Sequence, residues 1–197
     1  MRRVIVSEIL SLDGHFTGPN GDVMAMPFDH GFSEHNAALL QTAGTLLLGA
    51  RSYREFTAHW PGVRDDHDQP ALEREMSERY WTIEKVVVSD SITVADTEPW
   101  PDTTRIVPRA DSRAAVAALR AEEGADIVIF GSHLLWNDLF AAGLVDEFHL
   151  MIGPGIVGTQ GVPAFSAAGP HRFGLIDVHR PEGSDLVRLR YAVHRGA

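Results

Sequence analysis

Two short segments bring a glycine, a hydroxyl and a helix start together directly after an apolar run: Leu48-Gly49-Ala50-Arg51-Ser52-Tyr53 and Phe130-Gly131-Ser132-His133-Leu134. A glycine at such a turn lets a ligand approach the backbone closely, and a helix N-terminus offers N–H groups with no intrahelical partner to an anion. Ser132 can cap its helix or bond a phosphate oxygen, and Arg51 adds a guanidinium suited to phosphate. Either turn alone is an ordinary way to begin a helix. Two of them in one sheet point to a phosphate-bearing ligand.

Carboxylates are the next chemistry. Asp13 falls where the first strand ends, and Glu34 falls in the first turn of the helix expected to follow. Both would flank a pocket at the strand ends, where a carboxylate of raised pKa can protonate or anchor a nitrogen heterocycle. The same residues can instead fix a turn and complement a helix dipole. Gly153-Pro154-Gly155-Ile156-Val157-Gly158 matches G-x-G-x-x-G after a strand, but Thr159-Gln160-Gly161-Val162-Pro163 follows it and cannot open a compact helix, so it reads as a glycine-rich loop. Among ten histidines, His30 with His35, and His67 amid Asp65, Asp66 and Asp68, form no known ligand frame, and no metal site is expected. No G-x-S-x-G elbow exists for nucleophilic catalysis.

These residues need a scaffold of strands and helices. Val4 to Leu12 reads as a buried strand followed by a long loop, and Ser33 as the cap of a helix to about Thr42. Thr45 to Leu48 is a short buried strand, Ser52 caps a helix through His59 that Trp60-Pro61-Gly62 ends, and Pro70 to Trp81 is helical. Lys85 to Ser89 and Thr104 to Val107 are strands, and an Ala-rich helix starts at Asp111 or Ser112. Asp126 to Phe130 is the clearest buried strand, leading into a helix ending near Ala142 with Gly143 at its C-cap. Val145 to Ile152 is a further strand, and Arg172 to His179 with Leu186 to Val193 forms an antiparallel hairpin. The expectation is a doubly wound α/β fold: one mostly parallel twisted sheet, helices on both faces, and antiparallel C-terminal edge strands.

At 197 residues with 44% hydrophobic content, the chain is expected to be one domain spanning 1–197. Its formal charge of -10 repels a nucleic-acid backbone, so no nucleic-acid partner is expected. The absence of cysteine removes disulfides and thiolate chemistry and fits a reducing cytoplasm. No apolar run reaches the roughly 18 residues of a membrane span.

Taken in order, Ser11-Leu12-Asp13-Gly14, Leu46 through Tyr53, Val86-Val87-Val88-Ser89, Gly131-Ser132, Gly143-Leu144-Val145-Asp146-Glu147, and the stretch from Gly155 to Phe165 resemble the dihydrofolate reductase-like superfamily. Within it, the chain is similar to the C-terminal domain family of the riboflavin-biosynthesis reductase RibD. The resemblance implies a cytoplasmic homodimer that holds NADPH across the strand ends and passes hydride to a small heterocycle, pteridine-like, pyrimidine or ribosylamino-pyrimidine. It implies that Gly49, Arg51 and Ser52 hold one end of the cofactor and Ser89 the adenosine side. Gly131, Ser132 and His133, with Leu134 beside them, would take the pyrophosphate, and Asp13 and Glu34 would act as catalytic residues facing the substrate. Ala50 and Asp90 stand where that family commonly has arginine, which removes charge near the 2′-phosphate of NADPH and leaves NADH open as well, with Arg51 the remaining phosphate contact. The alternative is a non-catalytic nucleotide or small-ligand binding protein on the same fold.

Overall fold

In the computed structural model, which describes residues 1–166 and 169–194, strand formation follows the β-branched apolar runs. The chain runs β1 (Val4–Leu10), β2 (His15–Thr17), α1 (His30–Thr42), β3 (Thr45–Gly49), α2 (Ala50–Val63), α3 (Ala71–Thr82), β4 (Glu84–Val88) and β5 (Thr104–Val107). It continues through α4 (Ser112–Ala121), β6 (Ile127–Phe130), α5 (His133–Ala141), β7 (Glu147–Ile152), β8 (Val162–Pro163), β9 (Phe173–His179) and β10 (Val187–Val193).

One eight-stranded sheet has the order β5-β4-β3-β6-β1-β7-β10-β9, and β2 pairs with β8 in a second, two-stranded sheet. From β5 to β7 every pairing is parallel, whereas β10 runs antiparallel to both β7 and β9. Side-chain alternation splits the core in two. Val4, Val6 and Leu47 pack with Val116 and Leu119 of α4 and Trp136, Leu139 and Phe140 of α5. Ile5, Leu46 and Leu48 pack on the opposite face with Leu40 of α1, Tyr53 of α2 and Tyr80 of α3. All seven residues of β1 are buried, as a central parallel strand covered on both faces requires. The expected doubly wound α/β sheet with an antiparallel C-terminal edge is therefore what the chain forms.

Three helix boundaries differ from the sequence reading. Helix α1 starts at His30, not after Ser33, because the Asp29 carboxylate accepts from the Gly31 amide at 2.9 Å and also takes Ser184 Oγ at 2.7 Å. Glu34 thus sits in the second turn. Helix α2 starts at Ala50, so Ser52 lies inside its first turn, with its hydroxyl turned to another element (below) in place of a cap. That helix also runs past Pro61 to buried Val63, since a proline in the last turn removes a single backbone bond.

Candidate functional site

Adjacent strands β3 and β6 send their helices to opposite faces: α2 packs with one core and α5 with the other. Such a reversal opens a crevice beyond the carboxyl ends of the strands, the usual ligand position in an open α/β sheet. A cleft of about 970 Å³ lies there, and it crosses five strand ends in sheet order. Arg109 and Ala110 follow β5, Ser89, Asp90 and Ser91 follow β4, and Gly49 to Ser52 follow β3. Gly131 to Leu135 follow β6, and Phe16, Thr17 and Val162 close the end beside β1. The first turns of α2 and α5 and the start of α4 at Ser112 all line it, so three helix N-termini share one cleft.

The crevice is fastened by a reciprocal pair of hydrogen bonds. The Gly49 amide donates to Ser132 Oγ at 3.0 Å, and the Ser132 amide donates to Ser52 Oγ at 2.9 Å. Gly131 and Ser132 both have positive φ, 60° and 56°, a double left-handed turn that swings the backbone out of β6 and into α5. Side chains then anchor α5: His133 Nε2 lies 2.8 Å from Ala164 O and 3.0 Å from Pro163 O, and its ring stacks on Phe16 at 4.8 Å. Asn137 donates to the carbonyls of His133 and Ala164. This scaffold holds the glycine turn rigidly where a ligand would meet it.

All eight residues expected to hold a cofactor, Gly49, Arg51, Ser52, Ser89, Gly131, Ser132, His133 and Leu134, line this single cleft. Their hydrogen bonds refine what each can offer. Ser89 Oγ accepts from the amides of Ser91 and Ile92, both at 2.9 Å, and so shapes its own turn. Arg51 pairs with Glu55 at 2.8 Å and donates to Gly21 O at 3.1 Å, spanning from α2 to the loop after β2. Asp90 accepts the Arg109 amide at 2.9 Å, which ties the ends of β4 and β5 together.

The two expected catalytic carboxylates lie elsewhere. Asp13 accepts from Ser11 Oγ at 2.6 Å and from the amides of Gly158 at 2.8 Å and Val157 at 3.2 Å. Those donors hold its carboxyl well below the usual carboxylate range, so it stays ionised and pins the glycine-rich loop, where the sequence reading required a raised pKa. Glu34 is exposed on α1, away from the cleft. The carboxyls that burial does push up are Glu8, inside β1, and Asp146, just before β7. Sequence reading missed Phe16, Thr17, Val162 and Arg109. Strands of two or three residues carry no periodicity, whereas Val107-Pro108-Arg109 followed by a helix repeats the strand-to-helix pattern of the two glycine turns and was findable on that signal.

An open α/β domain with its ligand cleft at a strand-order reversal, under three helix N-termini, is the class these features define. The chain belongs to the RibD C-terminal domain family, whose model matches residues 2–183. It is 30% identical over 166 residues to the uncharacterized protein YyaP of Bacillus subtilis (strain 168), covering 83% of this chain and 80% of that protein. The crystal structure of a pyrimidine reductase-like protein from Corynebacterium diphtheriae NCTC has a TM-score of 0.64 at 18% identity, over 99% of this chain and 93% of that one. A diaminohydroxyphosphoribosylaminopyrimidine deaminase/5-amino-6-(5-phosphoribosylamino)uracil reductase from Thermotoga maritima has a TM-score of 0.65 at 11% identity, over 98% of this chain and 57% of that one. At such identities the two structures share the fold. Among the described residues no helix is long and apolar enough to cross a membrane.

Proposed function

We propose that the chain is an NAD(P)H-dependent reductase of a small heterocycle, with the dinucleotide lying along the cleft from the β5 end to the β1 end. The observation that carries this reading is the Gly49–Ser132–Ser52 clasp at the strand-order reversal, with a side-chain-free turn and three helix N-termini around it. Gly131, Ser132, His133 and Leu134 would hold the pyrophosphate, since first-turn amides and a Cβ-free turn suit a diphosphate. Gly49, Arg51 and Ser52 would flank it, and Ser89, Asp90 and Arg109 would meet the adenosine ribose. Membership of a family that takes its name from RibD, and the names of the two reductase-like neighbours, favour this chemistry.

The bound cofactor would supply hydride. This chain's residues would orient the ring and exclude water: Phe16 stacked on His133, with Val162 and Val23, makes the wall at the β1 end. Thr17 lines the same end, and its buried hydroxyl has no partner among the described residues, so it is available to a substrate atom. Asp13, held ionised, would serve by fixing the loop that closes this end.

The reading of a binding protein without turnover is favoured by one observation, that neither Asp13 nor Glu34 lines the cleft. Following NADPH oxidation at the nicotinamide absorbance, with a panel of pterins and pyrimidines, separates the two. Turnover with any member supports the reductase, and dinucleotide binding without turnover across the panel supports the binding protein.

A further inference from the structure

We propose that a second cavity, on the α1 face of the sheet, binds a small aliphatic carboxylate; the inference stands apart from the reductase reading. This cavity, of about 240 Å³, is lined by the C-terminal half of α1 and shares no lining residue with the cleft at the strand ends. Arg3 and Asp126 in its lining precede β1 and β6, so it lies toward the amino ends of strands whose carboxyl ends border the cleft. Ile5 of β1, Val128 of β6 and Leu39 of α1 supply an apolar wall. The charged wall is unequal. Arg3, Arg188 and Arg190 line it with one carboxylate, Asp126, which already accepts from the Arg3 amide at 3.0 Å and from Arg3 Nε at 3.1 Å. Glu147 and Asp177, the partners of Arg190 and Arg188, are not in the lining. On a chain of formal charge -10, this cavity gathers cations.

Donors also outnumber acceptors there. Burial, with the two arginines behind it, holds His35 down to about 3 and His149 down to about 4, so both imidazoles are neutral at pH 7. The rings bond to each other, His35 Nε2 to His149 Nδ1, at 3.0 Å. Two neutral imidazoles carry two N–H groups, one of which lies between the rings, so only one of the two outer nitrogens can accept. Yet a guanidinium stands at both: Arg188 Nη1 is 3.3 Å from His35 Nδ1, and Arg190 Nε is 3.2 Å from His149 Nε2. Whichever tautomer forms, one arginine N–H faces an imidazole that cannot accept it. Arg188 Nε has no acceptor among the described residues either. The carbonyls at the end of α1 are engaged, Ala38 O and Leu39 O by Thr42 Oγ1, and Leu40 O and Ala43 O by Arg79. A planar carboxylate brings paired acceptors that match the fork of a guanidinium, and a short aliphatic body suits the Ile5, Leu39 and Val128 wall. A phosphate dianion would lose more water against that wall.

The test follows the imidazole signals of His35 and His149 by NMR in the full chain at pH 7, titrated with butyrate, with inorganic phosphate, and with chloride at matched ionic strength. Butyrate should shift both signals saturably, phosphate should bind about tenfold more weakly or not at all, and chloride should leave the signals in place. Arg190→Gln should weaken butyrate about tenfold, the loss expected when a charge-assisted hydrogen bond goes. Ala38→Trp, at an exposed position of α1 in the lining, should weaken it as much by filling the cavity, and it serves alone if Arg190→Gln does not fold. NADPH affinity should be unchanged in Ala38→Trp, since the two cavities share no residue. The proposal is overturned by the absence of a saturable butyrate shift, by chloride reproducing that shift, by phosphate binding as tightly as butyrate, or by butyrate affinity that survives Ala38→Trp.

Discussion

Ser132 joins the two halves of the cleft through Gly49: its hydroxyl takes the Gly49 amide at 3.0 Å while its own amide reaches Ser52 Oγ at 2.9 Å. Removing either hydroxyl leaves an amide of the strand-to-helix turns without its acceptor. Ser52→Ala and Ser132→Ala should each cost about 1–3 kcal/mol of stability, the range for a polar group left unsatisfied in a buried setting. Each should also weaken dinucleotide binding. Urea denaturation and a dinucleotide titration check both; variants as stable as wild type would show that the clasp does not hold the turns.

With a dinucleotide seated as proposed, the choice between NADPH and NADH would turn on the β5 end. Arg51 is neutralised by Glu55, whereas Arg109 lies beside Asp90 where an adenosine ribose would reach. Arg109→Ala should weaken NADPH relative to NADH by about 1.5–3 kcal/mol, the size of a charge-assisted hydrogen bond. Arg51→Ala should weaken both cofactors alike, and Asp90→Arg should favour NADPH selectively. Dissociation constants for both cofactors decide it: selective loss in Arg51→Ala in place of Arg109→Ala would reverse the assignment.

Acid should unfold the chain partly through a histidine pair. His35 Nε2 and His149 Nδ1 are 3.0 Å apart, and His149 continues to Glu147 at 3.1 Å, with Arg188 and Arg190 alongside. Burial pushes His35 down to about 3, helped by the nearby His149, and pushes His149 down to about 4 against the pull of Glu147. Folded-state values below the unfolded value mean that the unfolded chain binds more protons, so this contribution is present above about pH 6.5 and is lost as pH falls toward those values. Glu8, pushed up by burial, acts in the opposite sense, favouring the fold at low pH. The pair is therefore read by difference: His35→Gln should have a flatter stability profile than wild type between pH 4 and 7 in urea melts. Parallel profiles would remove the pair as the source.

The edge hairpin should mediate a twofold dimer. Leu175, Ile176 and Val178 of β9 and Val187 of β10 are exposed apolar residues on an edge of the sheet, surface that a partner copy would cover. Light scattering at micromolar concentration should give a dimer mass, and Val178→Lys should give a monomer. A monomeric wild type would contradict this.

The sheet was legible because its parallel strands are continuous apolar runs bounded by glycine, as at Thr45 to Gly49 and Ile127 to Phe130. The cleft was legible through the glycine turns, which need their backbone conformation whatever surrounds them: Gly131 at φ +60° is a local demand visible in the residue type. What could not be read was tertiary. Ser52 looks like a cap, and only the approach of Ser132 makes it an acceptor across the crevice. Asp13 stands at a strand end as an acid would, yet its partners at Val157 and Gly158 lie more than 140 residues away in sequence. The Asp29 cap of α1 is likewise completed by Ser184.

In the proposed function the Gly131 turn receives a dinucleotide pyrophosphate. Gly131→Val tests it, because a β-branched residue at φ +60° is strained and its Cβ would lie 3.1 Å from Ser52 Oγ, inside the clasp. The measurement is the dissociation constant of NADPH by nicotinamide fluorescence, for wild type and for the variant, under conditions where circular dichroism shows both folded. Wild type should bind saturably and the variant at least tenfold more weakly. Equal affinity in the two proteins, or no saturable binding by wild type, would contradict the account.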